Sequence, residues 1–216
     1  MIEAFIFDLD GVLIDSEQVW DEVRREFVIE AGGRWTDSAQ RDMMGMSSGE
    51  WSGYVAEELG VEQSPQAISE QIAGGVADVY RERLPLLPGA REAVERMAAR
   101  WPLAIASSSN RGVIDLVLEI SGLGPSFAAT VSSEEVGRGK PAPDVYLEAA
   151  RRLGAEPRAC AAAEDSHNGI AAAKTAGMKV IAIPNSHYPP GDEALAKADV
   201  VLESLDELTP EVVEGS

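Results

Sequence analysis

The chain has 216 residues and a formal net charge of -19, from 18 Lys and Arg against 37 Asp and Glu. That balance excludes binding along a nucleic-acid backbone, which needs clustered cations to neutralise phosphates, while the length suffices to bury a substantial apolar interior. The single cysteine, Cys160, excludes an intrachain disulfide and fits a reducing compartment.

The first predicted element is the apolar run Ala4 to Phe7, a short buried strand. Asp8, Asp10 and Asp15 follow and interrupt anything resembling a signal peptide's apolar core. No apolar run approaches the roughly 20 residues that cross a bilayer, so a soluble, cytoplasmic protein without a membrane span is expected. From about Ser16 to Leu84, helix-like segments succeed one another with no convincing strand among them. The return passes through Leu84-Pro85-Leu86-Leu87-Pro88-Gly89, where two prolines restrict the backbone and remove amide donors, as in a linker.

Beyond the linker, Ala90, Val94, Met97, Ala98 and Trp101 follow a helical period. Apolar runs at Leu103 to Ala106, Ala128 to Val131, Ala159 to Ala163, Val180 to Ile183 and Val200 to Leu202 read as buried strands. Pro143 and Asp144 suit a helix start and Gly154 its stop, and Gly177 ends a helix running from about Asn168. Strand alternating with helix predicts an α/β protein with a Rossmann-like, doubly wound parallel sheet. Residues 1–15 and 87–216 would form this core, with 16–86 an inserted helical domain.

Phe7-Asp8-Leu9-Asp10-Gly11-Val12 sets two carboxylates just after a strand, and residues two apart on extended backbone face the same side. A turn rich in Asp is the plain alternative. A calcium loop of the EF-hand type fits poorly, because Val12-Leu13-Ile14 stands where oxygen ligands are needed. Three further motifs lie at strand ends: Ser107-Ser108-Ser109-Asn110, Lys140 within Gly139-Lys140-Pro141, and Glu164-Asp165-Ser166. With Asp8 to Glu17 (DLDGVLIDSE) these four, in this order, resemble the haloacid dehalogenase superfamily over nearly the whole chain. The likeness is to the branch of β-phosphoglucomutase and the sugar phosphatases.

The resemblance implies that the helical insertion is a cap closing over the site. It implies that Asp8 is the nucleophile forming an aspartyl-phosphate and that Asp10 is the acid and base for the leaving alkoxide and attacking water. Ser107, the amide of Ser108, and Lys140 would hold the transferring phosphoryl group. Mg²⁺ would be the cofactor, held by Asp8, Asp165 and the Asp10 backbone carbonyl, with Glu164 either a direct ligand or acting through water. Each motif has an ordinary alternative: a helix N-cap region for Glu164-Asp165-Ser166, a capping serine for Ser107, and a solvated loop lysine for Lys140. For Ser109 capping is the preferred reading.

Among the family's chemistries, dehalogenases use one aspartate and no metal, which Asp10, Glu164 and Asp165 together disfavour. Phosphonatases need a cap lysine, and none lies between Ser16 and Leu84. β-Phosphoglucomutase is the closer rival, but Trp20 stands where its cap histidine is expected and Ser48 where its arginine is expected. Trp20 is read first as a packed cap residue. From Asp15 to Leu86 the chain carries 15 Asp and Glu against six Arg, a poor setting for a second phosphate. The expected activity is therefore hydrolysis of a small organic phosphate monoester, a sugar or polyol phosphate, by a monomer or weak homodimer with no nucleic-acid partner.

Overall fold

The computed structural model describes residues 1–185 and 189–215. In chain order it contains β1 (Ala4–Phe7), α1 (Glu17–Glu30), α2 (Ala39–Met43), α3 (Ser48–Glu57), α4 (Pro65–Glu82), α5 (Ala90–Ala98), β2 (Leu103–Ser107), α6 (Arg111–Ser121) and β3 (Phe127–Ser132). There follow α7 (Asp144–Leu153), β4 (Cys160–Glu164), α8 (His167–Thr175), β5 (Lys179–Ala182), α9 (Asp192–Leu195), β6 (Val200–Val201) and α10 (Pro210–Glu214). The strands form one parallel sheet in the order β3-β2-β1-β4-β5-β6. Strand order reverses at β1, which pairs with β2 on one side and β4 on the other. A crevice opens at the carboxyl ends of the strands there.

Alternation along β1 divides the core. Phe5 and Phe7 join Leu103, Ile105, Ala161, Ala163 and Ile181 on one face, under α5, α6 and α10. Ala4 and Ile6 join Ala104, Ala106, Val131, Ala162 and Val180 on the other, under α7 and α8. Both faces are therefore covered, as a parallel sheet requires. Burial fades at the edges: β3 is largely half-buried and β6 is two residues long, partly exposed. Sequence reading made both fully buried, but an edge strand has a neighbour on one side only.

Four helices, α1 to α4, lie between β1 and α5 without a strand among the described residues. The Ser64 side chain caps α4 by accepting from Ala67 N (3.3 Å), Pro65 occupies the first turn, and Ile68, Ile72, Val76 and Tyr80 bury one side at four-residue spacing. The two chain crossings into and out of this insertion run side by side. Asp15 N donates to Pro85 O (2.8 Å) and Leu87 N to Leu13 O (2.9 Å), so the segment read as a linker is held to the outgoing chain by an isolated antiparallel bridge between Ile14 and Leu86. Among the described residues no helix is long and apolar enough to cross a membrane.

Candidate active site

β1 delivers Asp8 to the crevice with its backbone N–H still paired to Ala163 O of β4 at 3.0 Å. Asp8 Oδ1 accepts from Leu9 N at 2.7 Å, and Oδ2 faces Lys140 Nζ at 2.8 Å. Gly11 then turns the chain at φ +76°, where an L side chain is strained. Its missing Cβ matters twice, since that atom would stand 1.9 Å from Asp165 Oδ2.

Lys140 approaches from the loop before α7, its side chain 1% exposed, and its Nζ lies between Asp8 and Glu164, 2.6 Å from Glu164 Oε1. Burial alone would lower its pKa, but the two carboxylates outweigh that and raise it above the ordinary lysine value. Glu164, the last residue of β4, is fully committed within the protein. Its Oε1 accepts from Lys140 and from Tyr146 Oη (2.5 Å), and its Oε2 from Asp165 N (3.1 Å), Ser166 N (3.4 Å) and Ser166 Oγ (3.2 Å). The carboxylate rests on the bare backbone of Gly169, where a Cβ would lie 1.9 Å away. That is the first turn of α8, whose positive end favours an anion. Ser166 caps the same helix by accepting from Gly169 N at 3.0 Å, so the capping reading and the charged cluster coexist.

Asp165 differs from Glu164. Its Oδ2 is buried with no hydrogen-bond partner among the described residues. One carboxylate oxygen from each of Asp8, Glu164 and Asp165 lies within 4.8 Å of the others. Three carboxylates with one ammonium leave two negative charges unbalanced, which is the charge of one divalent cation. Without a cation the structure raises the pKa of Asp8 and of Asp165 well above the ordinary carboxylate value. Burial is the first cause for both, and the charge of Glu164 the second. All-oxygen donors, an orphaned buried carboxylate oxygen and this charge deficit fit Mg²⁺.

Asp10 sits across the crevice. Its Oδ2 accepts from Ser107 Oγ (3.1 Å) and Ser109 Oγ (2.7 Å), and its Oδ1 from Trp20 Nε1 (3.2 Å) of the insertion. Ser107 also accepts from Ser109 N at 3.0 Å and is fully buried. Ser108 Oγ donates to Gly45 O of the insertion at 3.0 Å. The crevice is lined from the sheet by Asp8, Asp10, Ser108, Ser109, Lys140 and Asp165. Ser107 stands just behind this lining and Ser109, expected only to cap, is on it. Trp20 is packed as expected but is also a hydrogen-bond donor to Asp10. Tyr146 and Ser109 were not singled out for the site, and neither carries a signal beyond its proximity to a motif.

The site is thus a lysine wedged between carboxylates at the strand ends of a doubly wound sheet. The chain belongs to the haloacid dehalogenase-like hydrolase family, whose model matches residues 2–177. It is 36% identical over 214 residues to "Hexitol phosphatase B" of Escherichia coli, covering 96% of this chain and 95% of that one. It is also 33% identical over 182 residues to "Phosphorylated carbohydrates phosphatase" of Thermotoga maritima, covering 83% and 84% respectively. The crystal structure of CbbY from Rhodobacter sphaeroides in complex with phosphate superposes with a TM-score of 0.88 at 25% identity, covering 99% of this chain and all of that one. The chain is a phosphatase of this family.

Proposed function

We propose that the protein is a Mg²⁺-dependent phosphatase that hydrolyses a sugar or polyol phosphate monoester through an aspartyl-phosphate on Asp8. The observation that carries this reading is the buried cluster of Asp8, Glu164, Asp165 and Lys140, two charges short of balance. Asp8 and Asp165, with the Asp10 carbonyl, would hold the ion directly, and Glu164, both of whose oxygens are already engaged, orients Lys140 and the α8 end behind them. When bound, Mg²⁺ supplies positive charge that lets a phosphate dianion approach the carboxylates.

The chain's own residues carry the steps. The Asp8 carboxylate attacks phosphorus, and the alkoxide of the ester leaves. Lys140, a fixed point charge 2.8 Å from Asp8, stabilises the phosphoryl oxygens. Asp10 gives the leaving oxygen its proton and then takes one from the water that cleaves the aspartyl-phosphate. Ser107, Ser109 and Trp20 hold Asp10 in place between these events, while Ser108 and Ser109 present polar groups to the phosphate. We assign residues 16–86 as a cap over the crevice. Contacts from Ser108 to Gly45 and from Asn168 Nδ2 to Met44 O (3.0 Å) support its closure on the sheet side. The free, buried Cys160 accords with a reducing, cytoplasmic setting.

Two relatives whose names specify hexitols and phosphorylated carbohydrates support the substrate class. Ser48, standing where a mutase arginine is expected, donates instead to Glu134 at 3.1 Å, which supports hydrolysis over mutase chemistry. The test is inorganic phosphate release from phenyl phosphate and from a hexitol phosphate, with Mg²⁺ or with EDTA. Wild type should release phosphate only with the metal, and Asp8→Asn should not. Equal rates for wild type and Asp8→Asn would overturn the proposal.

A further inference from the structure

The insertion contributes two charged side chains to the crevice lining, Glu17 and Arg24. Both lie on α1 with Trp20, at positions i, i+3 and i+7 of one helix face. Arg24 is only 6% exposed, yet among the described residues no carboxylate comes within ion-pair distance of it, Glu17 acting on it only as a nearby charge. Its guanidinium carbon lies 4.7 Å from the Trp20 ring centre and 4.9 Å from that of Trp51, so two indoles clamp it. Nη1 donates to Gln40 Oε1 at 3.2 Å, whereas the buried Nε has no partner. Gln40 in turn donates through Nε2 to Glu17 Oε2 at 2.9 Å and to Glu17 O at 3.4 Å, fixing the carboxylate. Glu17 Oε1 takes no hydrogen bond from the described residues.

A buried donor left unmatched costs free energy and persists only where something else repays it. Here Arg24, whose buried Nε is unmatched, and Glu17, one of whose oxygens takes no hydrogen bond, line the crevice that Asp8 and Lys140 also line, tied together by Gln40. A hydroxyl group both donates and accepts, so a carbon chain bearing adjacent hydroxyls answers both residues at once. A second phosphate or a carboxylate would answer Arg24 but meet the carboxyl of Glu17, which burial pushes up to about 7 and which is therefore part-charged at neutral pH. Trp20, Trp51, Met43 and Met46 line the same space with apolar surface suited to C–H faces. Resting on the phosphatase reading above, we propose that Glu17, Gln40 and Arg24 form the specificity site that selects a neutral, polyhydroxylated alcohol on the far side of the phosphate.

The experiment compares kcat/KM for a hexitol phosphate, the corresponding alkyl phosphate without hydroxyls, phenyl phosphate and phosphoglycolate, in wild type, Glu17→Gln and Arg24→Met. Wild type should prefer the hexitol phosphate to the alkyl phosphate by at least about tenfold, since a site built to bond hydroxyls rejects analogues lacking them. Each variant should lower the ratio of hexitol phosphate to phenyl phosphate turnover by at least about tenfold, mainly through KM. Equal loss on both substrates, or a wild-type preference for phosphoglycolate, would overturn the assignment. Wild-type selectivity is read without any substitution, so a variant that fails to fold leaves the test intact. Absence of Mg²⁺-dependent phenyl phosphate hydrolysis would instead remove the phosphatase reading itself, and thus the two failures are distinguishable.

Discussion

Stripping divalent metal from the protein should make its stability fall as pH rises. In the metal-free fold Asp8 and Asp165 keep their protons well above the ordinary value of 3.8, through burial first and then the charge of Glu164. The unfolded chain releases those protons near 3.8. Between that value and the raised native ones the folded state binds more protons, so the free energy of unfolding decreases with pH. Each such proton contributes about 1.4 kcal/mol per pH unit, and the two acids together up to about 2.7. Mg²⁺ takes the place of those protons, and at a hundred times its Kd it adds about 2.7 kcal/mol, which for a chain of this size raises Tm by roughly 5–11 °C. Urea unfolding from about pH 5 to about pH 8, in EDTA and in excess Mg²⁺, measures both effects. The net charge of -19 adds its own downward drift through self-repulsion, so Asp165→Asn is the comparison that isolates the site. Its slope in EDTA should be shallower than wild type by up to about 1.4 kcal/mol per pH unit. Equal slopes, or no response of Tm to Mg²⁺, would mean that these two carboxyls neither hold raised pKa values nor bind the metal.

Gly11→Ala tests the same cluster from the backbone. Its φ of +76° should cost about 1–3 kcal/mol in an urea titration. The new methyl, directed at Asp165 Oδ2, should raise the Mg²⁺ concentration for half-maximal activity by roughly 10- to 100-fold, and an unchanged activation curve would contradict the assigned role of Asp165. Trp20→Phe removes one hydrogen bond to the Asp10 carboxylate while keeping an aromatic ring against Arg24. A bond to a charged group is worth about 1.5–3 kcal/mol, so kcat should drop roughly 10- to 100-fold with little loss of Tm; retention of full kcat would show that Asp10 needs no contact from the insertion.

The strands of the described residues lie within a residue or two of the apolar runs that announced them; for β1, β2, β4 and β5 this is because a parallel strand buried on both faces is written in sequence as an unbroken apolar segment. The clustered carboxylates were legible for a related reason: Asp8 and Asp165 follow β1 and β4 directly and Glu164 ends β4, where backbone topology brings them together, whereas Lys140 reaches them from the loop between β3 and α7. Glu164 was left between direct and indirect metal contact, and only its full set of partners, including Tyr146 from α7, supports the indirect role. The segment from α1 to α4 was legible as helices, but the contacts among its side chains were not. Gln40 stands 23 positions from the Glu17 it bonds, and Trp51 meets Arg24 only once α1 and α3 have both packed against α4. Such pairs carry no local pattern, since they depend on how helices cross rather than on how any one of them is spaced. Ser109 was misread for the opposite reason. A serine ahead of a helix is ordinary capping chemistry, and its bond to Asp10, 99 positions away, appears only in the fold.

Every step of the proposed reaction passes through a covalent intermediate on Asp8. Rapid acid quench of wild-type protein mixed with a hexitol phosphate and Mg²⁺, followed by proteolysis and mass spectrometry, reads it directly. The peptide containing Asp8 should gain the mass of one phosphoryl group, lost on treatment with hydroxylamine and absent from Asp8→Asn. Phosphate release at the full wild-type rate with no phosphorylated Asp8 peptide at any quench time would contradict it.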